Sequence, residues 1–288
     1  MQKVGTITSI WRYPVKGMAG ESLSQCRLGA GGLTGDRTWA VQDCQRQEIQ
    51  SCKFRPGLLQ CRARQRLNEQ GELTGAVEIT FPDGSVLASD NPAIDQQISN
   101  AIGHASALQA LRPFAEDAGF YRRYKADATT WLQELKATFD REPGEPLPDL
   151  DNLPAEMQEY VALPGTFFLV SPLHILTTAS LQHMQSINPA ADWHMERFRP
   201  NLVIETLPGM QGLVEQSWLG KRMRIGKITI DCAGAAPRCG AVTRAQSQLG
   251  DDTSILRSIV REAEQNLGIY GAIDGEDLIR VGDEVLVY

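Results

Sequence analysis

The chain has no surplus of positive charge. Its 28 Lys and Arg face 35 Asp and Glu, for a formal net charge of −7. A broad nucleic-acid face would need a basic domain, so that class is excluded, and any basic cluster must be local and aimed at one anionic ligand. Long apolar runs are also missing. The longest charge-free apolar stretch, ALPGTFFLVSPLHIL, is broken by Pro164, Gly165 and Pro172 and is too short to span a bilayer. The N-terminal MQKVGTITSIWRYPVKG interrupts its apolar pieces with Lys3, Arg12 and Lys16, which is not the pattern of a secretory signal. The expectation is a cytoplasmic protein with no membrane or nucleic-acid partner.

Histidine is scarce. His104, His174, His183 and His194 are scattered, none stands in an H-E-x-x-H frame, and each reads as a surface or core histidine. No two of the six cysteines have C-x-x-C spacing and no histidine lies beside one at finger spacing, which argues against zinc. Cys26, Cys44, Cys52, Cys61, Cys232 and Cys239 show no dense framework, so reduced thiols are expected. With 42% hydrophobic and 22% charged residues over 288 positions, the composition is that of one large or two ordinary globular domains.

What is present is mostly β. KVGTITSIW, TWAVQD, GAVEITF and SVLAS are short, rich in Val, Ile, Thr, Trp and Phe, and separated by glycine turns, the mark of a small barrel or sandwich. Asn91–Pro92 then opens a helix with Ile94, Ile98 and Ile102 on one face. A second helical pattern covers about 121–140 and runs into REPGEPLPDLDNLP, a proline- and acid-rich stretch that reads as a solvated linker. Beyond it come a strand and helix in GTFFLVSPLHILTTASL, with Thr177 as cap, then RPNLVIE and the hairpin RMRIGKITIDC. A late helix with Ile255, Leu256, Ile259, Val260 and Ala263 on one stripe is expected to stop at Gly268, before the strand–turn–strand LIRVGDEVLVY.

Three stretches carry candidate chemistry. GAGGLTGD lacks the Gly-Lys-Ser/Thr ending of a phosphate loop and leads into a strand, so its glycines read as turn formers; Arg37, at the strand's mouth, is a surface charge or a ligand group. In RFRPNLVIE, Pro200 stiffens the chain around Arg199 and Asn201, which suits either a clamp for an oxyanion or a plain strand start. In AGAAPRCGAVTRAQ, Arg238 stands beside Cys239, and a neighbouring cation favours the thiolate, the form that attacks electrophiles and ligates metals.

YPVKG, GLTGDRTWAVQD, RFRPNLVIE and PRCGAVT occur in the order and spacing of MOSC-domain proteins, named for the C-terminal domain of molybdenum-cofactor sulfurases, and over nearly its whole length the chain resembles the subfamily with an N-terminal β-barrel domain, as in amidoxime-reducing components and their bacterial relatives. The resemblance implies a β-rich α+β fold: an N-terminal small β-barrel domain over 1–120 and a MOSC β-barrel domain with peripheral helices over 121–288, its helix and acidic loop at 121–163 and its barrel at 164–288. It implies a molybdenum cofactor, with Cys239 as metal ligand and catalytic centre, and with Lys16, Arg37, Ser171, Arg199, Asn201 and Arg238 holding phosphate and pterin. Pyridoxal phosphate belongs to the related sulfurases and is not expected here. The implied activity is reduction of N-hydroxylated or N-oxygenated small molecules, with electrons from a ferredoxin- or cytochrome b5-like protein. The alternatives are a sulfur carrier or cofactor-delivery protein working through a Cys239 persulfide with a cysteine desulfurase, or a non-catalytic binding module.

Two departures stand out: Gly17 replaces the serine usual after the lysine of YPVK, and VTRAQSQLGDD differs from the family's stretch after the cysteine. Three structural expectations follow. Lys16 and Arg37 share one cleft with Arg199 and Cys239; no disulfide joins Cys232 to Cys239; and the small residues Gly234, Ala235 and Ala236 leave room for a bulky group beside the thiol.

Overall fold

A computed structural model describes residues 1–124 and 130–288. In the first strand, β1 (Gln2–Arg12), Val4, Ile7 and Ile10 turn inward at a spacing of three, the pairing register shifting between Lys3 and Gly5 and between Ile7 and Ser9. The strands that follow are β2 (Glu21–Leu23), β3 (Gln25–Gly29), β4 (Gly32–Leu33), β5 (Trp39–Asp43), β6 (Arg62–Leu67), β7 (Leu73–Thr80) and β8 (Val86–Ala88). Then come α1 (Ile94–Ile102), β9 (Ser106–Ala110), α2 (Trp131–Ala137) and α3 (Ala155–Glu159). The rest is β10 (His174–Thr177), α4 (Thr178–Ile187), β11 (Leu202–Thr206), β12 (Arg222–Ile225), β13 (Ile228–Pro237), α5 (Thr253–Glu262), β14 (Asn266–Asp274), β15 (Asp277–Arg280) and β16 (Glu284–Val287).

Seven strands close a barrel in the order β11-β10-β14-β13-β12-β16-β1, with β1 pairing back onto β11. Closure removes the open edges that would otherwise invite pairing with other chains. Ile7, Ile10, Ile175, Ile204, Ile225, Ile230 and Val285 fill it, all almost fully buried. The strand that closes this C-terminal barrel is thus the first in the chain. The smaller N-terminal barrel is built from β5–β9 and β6–β7–β8 around α1, and the 14–20 segment stitches the two sheets together. Lys16 N donates to Trp39 O at 2.8 Å, and Ala19 N to Cys61 O at 2.9 Å.

Local readings hold in some elements and fail in others. Thr177 caps α4, its Oγ1 accepting from Ser180 N at 3.1 Å. The stripe Ile255, Leu256, Ile259, Val260 and Ala263 is buried on α5 as expected. However, α5 ends at Glu262, the chain reverses through Glu264 and Gln265 at φ 47° and 63°, and Gly268 lies inside β14. Asn91 forms a turn ahead of α1, its Oδ1 accepting from Ala93 N, and does not cap the helix. Of the helix expected at 121–140, only Trp131–Ala137 is α-helical; Ala118–Tyr121 is a 3-10 turn and 125–129 lie outside the described residues.

The acidic, proline-rich stretch is not a free linker. Glu145 pairs with Arg257 of α5, Arg141 Nη2 donates to Arg238 O at 3.0 Å, and Leu150 is buried. It buttresses the loop that carries Cys239. Among the described residues no helix is long and apolar enough to cross a membrane, and all six cysteines are free thiols.

Candidate functional site

Between the two barrels lies a cleft of about 190 Å³. Lys16, Arg37, Ser171, Arg199, Asn201, Arg238 and Cys239 all line it, so residues more than 200 positions apart in sequence converge there. Lys53 and Arg197 bring its cations to six, and no carboxylate is among the described residues of its lining. In a chain of net charge −7 this is a local reversal of sign, the footprint of an anionic ligand.

Tyr13 organises two of the arginines. Its ring is fully buried, with the Arg199 guanidinium 4.4 Å from the centroid and that of Arg37 4.7 Å from it. The Tyr13 hydroxyl donates to Pro200 O at 3.1 Å, and burial pushes its pKa well above the ordinary tyrosine value. Both arginines have left-handed backbone, Arg37 at φ 46° and Arg199 at φ 55°. Non-glycine residues rarely adopt that conformation, and it persists only where the surroundings impose it.

Arg37 N donates to Tyr13 O at 2.9 Å, and Asp36 and Asn201 hold its side chain. The Asp36 carboxylate, out of reach of water, accepts from Tyr13 N at 2.7 Å, from Asn201 Nδ2 at 2.9 Å and from Arg37 Nη1. Asn201 Nδ2 also donates to Trp11 O, while its Oδ1 accepts from His174 N at 3.2 Å and Arg37 Nη1 at 3.3 Å. With both amide donors and its acceptor in use, Asn201 positions Arg37 and ties β1 to β10; it offers a ligand little of its own. Ser171 Oγ is similarly occupied by Gly271 O at 3.0 Å.

Cys239 sits two residues past the end of β13 and opens a 3-10 turn over Gly240–Thr243. Gly240 N donates to Thr138 O at 2.9 Å, which pins the thiol loop to the turn after α2. Arg238 Nη2 donates to Phe198 O at 2.9 Å, and its Nε is buried with no partner among the described residues. Gly234, Ala235 and Ala236 do not line the cleft; they lie in β13, where its register against β14 shifts twice, so the expected access for a bulky group is not through them.

Lys16 reaches across the cleft, Nζ donating to Phe167 O at 2.7 Å. Loss of water around its ammonium, with Arg37, Lys53 and Arg199 nearby, pulls its pKa down to about 7. Sequence reasoning passed over two further residues here. His174 is a buried cleft histidine whose Nε2 has no partner among the described residues, and burial, aided by Arg238, lowers it to about 3, so it is neutral. Cys52 is a second thiol in the same lining. Gly17, at φ 87°, lies against it: an added Cβ would stand 3.2 Å from Cys52 N and from Leu58 Cδ1, so a side chain here would be strained.

The lining fits a phosphate-bearing group held to a soft metal. Cations supply the phosphate clamp, Arg238 Nε is buried with no partner among the described residues, and Cys239 and Cys52 bring two thiols to the lining. The MOSC domain family matches residues 164–286, and the MOSC N-terminal beta barrel domain family matches residues 4–133. The chain is a MOSC-domain protein with the N-terminal β-barrel domain. It is similar to mitochondrial amidoxime reducing component 2 of Macaca fascicularis and of Homo sapiens, each 26% identical over 99% of this chain and 84% of the relative. Among solved structures, the YUAD protein from Bacillus subtilis aligns over 99% of this chain and 95% of its own at 11% identity, with a TM-score of 0.44.

Proposed function

We infer that this MOSC protein is a molybdenum-cofactor reductase of N-hydroxylated or N-oxygenated small molecules. The carrying observation is the meeting of the Cys239 thiol with six cations, and no carboxylate among the described lining residues, in one cleft. Similarity over 99% of the chain to proteins named amidoxime reducing components supports the same reading. When bound, the cofactor supplies the two-electron redox chemistry.

The chain's own residues do the rest. Cys239 ligates the metal. Arg37 and Arg199, fixed on Tyr13, and Arg238, fixed on Phe198, clamp the phosphate and pterin, with Ser171 and Asn201 shaping the wall. Lys16, with a pKa of about 7, holds a proton at Nζ near neutral pH beside the anion. Each N–O bond broken consumes two electrons and two protons and releases water, so an external ferredoxin- or cytochrome b5-like donor is needed.

Protein made in a host that synthesises the cofactor tests this. It should carry molybdenum and pterin near one per chain and reduce benzamidoxime to benzamidine when supplied with a chemical electron donor. Metal-poor protein with a persulfide on Cys239 and no reductase activity would establish the sulfur-carrier reading in its place.

A further inference from the structure

The turn that follows α2 packs directly on the loop that carries Cys239. A Cβ added at Gly240 would lie 3.0 Å from Asp140 Cβ and 3.2 Å from Thr138 O, so the two segments are in close contact. Asp140 has left-handed backbone at φ 53°, and its carbonyl accepts from Arg257 Nη2 of α5. A residue held in that conformation is fixed by its surroundings, and it sets the direction of the next side chain, Arg141.

Arg141 spends every nitrogen of its guanidinium on a neutral oxygen. Its Nε donates to Pro146 O at 2.8 Å and its Nη1 to Phe139 O at 2.7 Å, which braces it within its own segment. Its Nη2 donates to Arg238 O at 3.0 Å and to Gln265 Oε1 at 3.3 Å. Arg238 N in turn donates to Gln265 O at 2.9 Å. Both peptide units that flank Cys239 are therefore held from behind, Arg238 O by Arg141 and Gly240 N by Thr138 O. Neither Arg141 nor Thr138 lines the cleft. The arrangement needs a planar fork with donors on three nitrogens; a lysine ammonium is a single point and cannot reach four acceptors in three segments.

We propose that Arg141 is a positioning residue for the reduction: acting through Arg238 O, it fixes where the Cys239 thiol stands in the cleft, with the turn after α2 as its bracket. The kinetic consequence rests on the reductase reading, whereas the fixing of the loop does not need the metal. Because Arg141 lies outside the cleft lining it touches no substrate, so its loss should act on kcat and spare KM.

Three variants of the cofactor-loaded enzyme test this: Arg141→Gln, Arg141→Lys and Glu145→Gln. The last loosens the same segment from Arg257 of α5 and leaves the four hydrogen bonds of Arg141 in place. Rates are taken per bound molybdenum, so that differences in loading cancel. In both Arg141 variants kcat for benzamidoxime should fall roughly ten- to a hundredfold at unchanged KM, the cost of a displaced reacting group. The electron paramagnetic resonance spectrum of the half-reduced enzyme should change with it. Glu145→Gln should melt at lower temperature yet keep the wild-type kcat and spectrum. Wild-type kcat in Arg141→Gln, full rescue by Arg141→Lys, or the same loss in Glu145→Gln would each overturn the proposal.

A second readout needs no cofactor. Hydrogen exchange of cofactor-free protein, read by mass spectrometry on a peptide covering 238–243, should quicken roughly tenfold in Arg141→Gln, about the worth of one hydrogen bond. It should stay at the wild-type rate in Glu145→Gln. If exchange quickens in this way while the wild-type protein takes up no molybdenum, the positioning of the loop stands and the reductase reading falls. Unchanged exchange in Arg141→Gln overturns the proposal whatever the metal does.

Discussion

Lys16 and Arg37 hold positive charge in different ways. Arg37 is a guanidinium locked in place by Asp36 and Asn201. Lys16, lowered to about 7, is charged below that value and neutral above it. Sulfate remains a dianion throughout this range, so its affinity for the cofactor-free cleft should fall as pH rises from 6 to 8, by roughly tenfold for one charge-assisted contact. In Lys16→Arg the profile should be flat. Titration calorimetry at pH 6, 7 and 8 checks this, and a flat wild-type profile would refute it. The motif residues were legible in sequence because each stands in a distinctive local string. Tyr13 as a platform, His174 and Cys52 were not, since their roles come from what the fold sets against them.

Among the elements, those written by local rules were read correctly. The strand TWAVQD, the Thr177 cap and the buried stripe of α5 follow from strand-favouring residues between turns, a hydroxyl at the helix start and 3.6-residue spacing. The misplaced end of α5 shows where such rules stop. Gly268 resembles a helix terminator in sequence, yet in β14 it answers a tertiary demand: at φ 86°, an added Cβ would lie 2.2 Å from His174 Nε2 and 2.8 Å from Ile175 O. Gly268→Ala should therefore cost about 1–3 kcal/mol from the backbone alone, with more from displacing His174. Urea unfolding measures it, and an unchanged midpoint would contradict this account. The acidic stretch after α2 misled for a related reason: its composition is that of a linker, but Arg141 and Glu145 also reach across to Arg238 O and Arg257 in the folded C-terminal half.

At the scale of the molecule, the two barrels are one folding problem. β1 is the first strand in the chain, yet it pairs with β11 and β16 and closes the C-terminal barrel. A division at residue 120 therefore leaves the fragment 121–288 with an open barrel and two unpaired edges. That fragment should be insoluble or lack cooperative unfolding, whereas the full chain should show coincident transitions by fluorescence and circular dichroism. A soluble 121–288 fragment with a sharp transition would show that β1 is dispensable. This interdependence was not legible in sequence, because strand pairing across nearly the whole chain leaves no local mark.

The central claim is that the Cys239 thiol holds the metal while the surrounding cations hold the phosphate and pterin. Molybdenum, pterin and benzamidoxime reduction measured together in wild type, Cys239→Ala and Cys44→Ala test it most directly. Cys44 is exposed and does not line the cleft, so its variant controls for cysteine loss. The account predicts that Cys239→Ala folds, keeps part of its pterin and loses reduction, while Cys44→Ala matches wild type. Molybdenum-loaded Cys239→Ala that reduces benzamidoxime at the wild-type rate would contradict it.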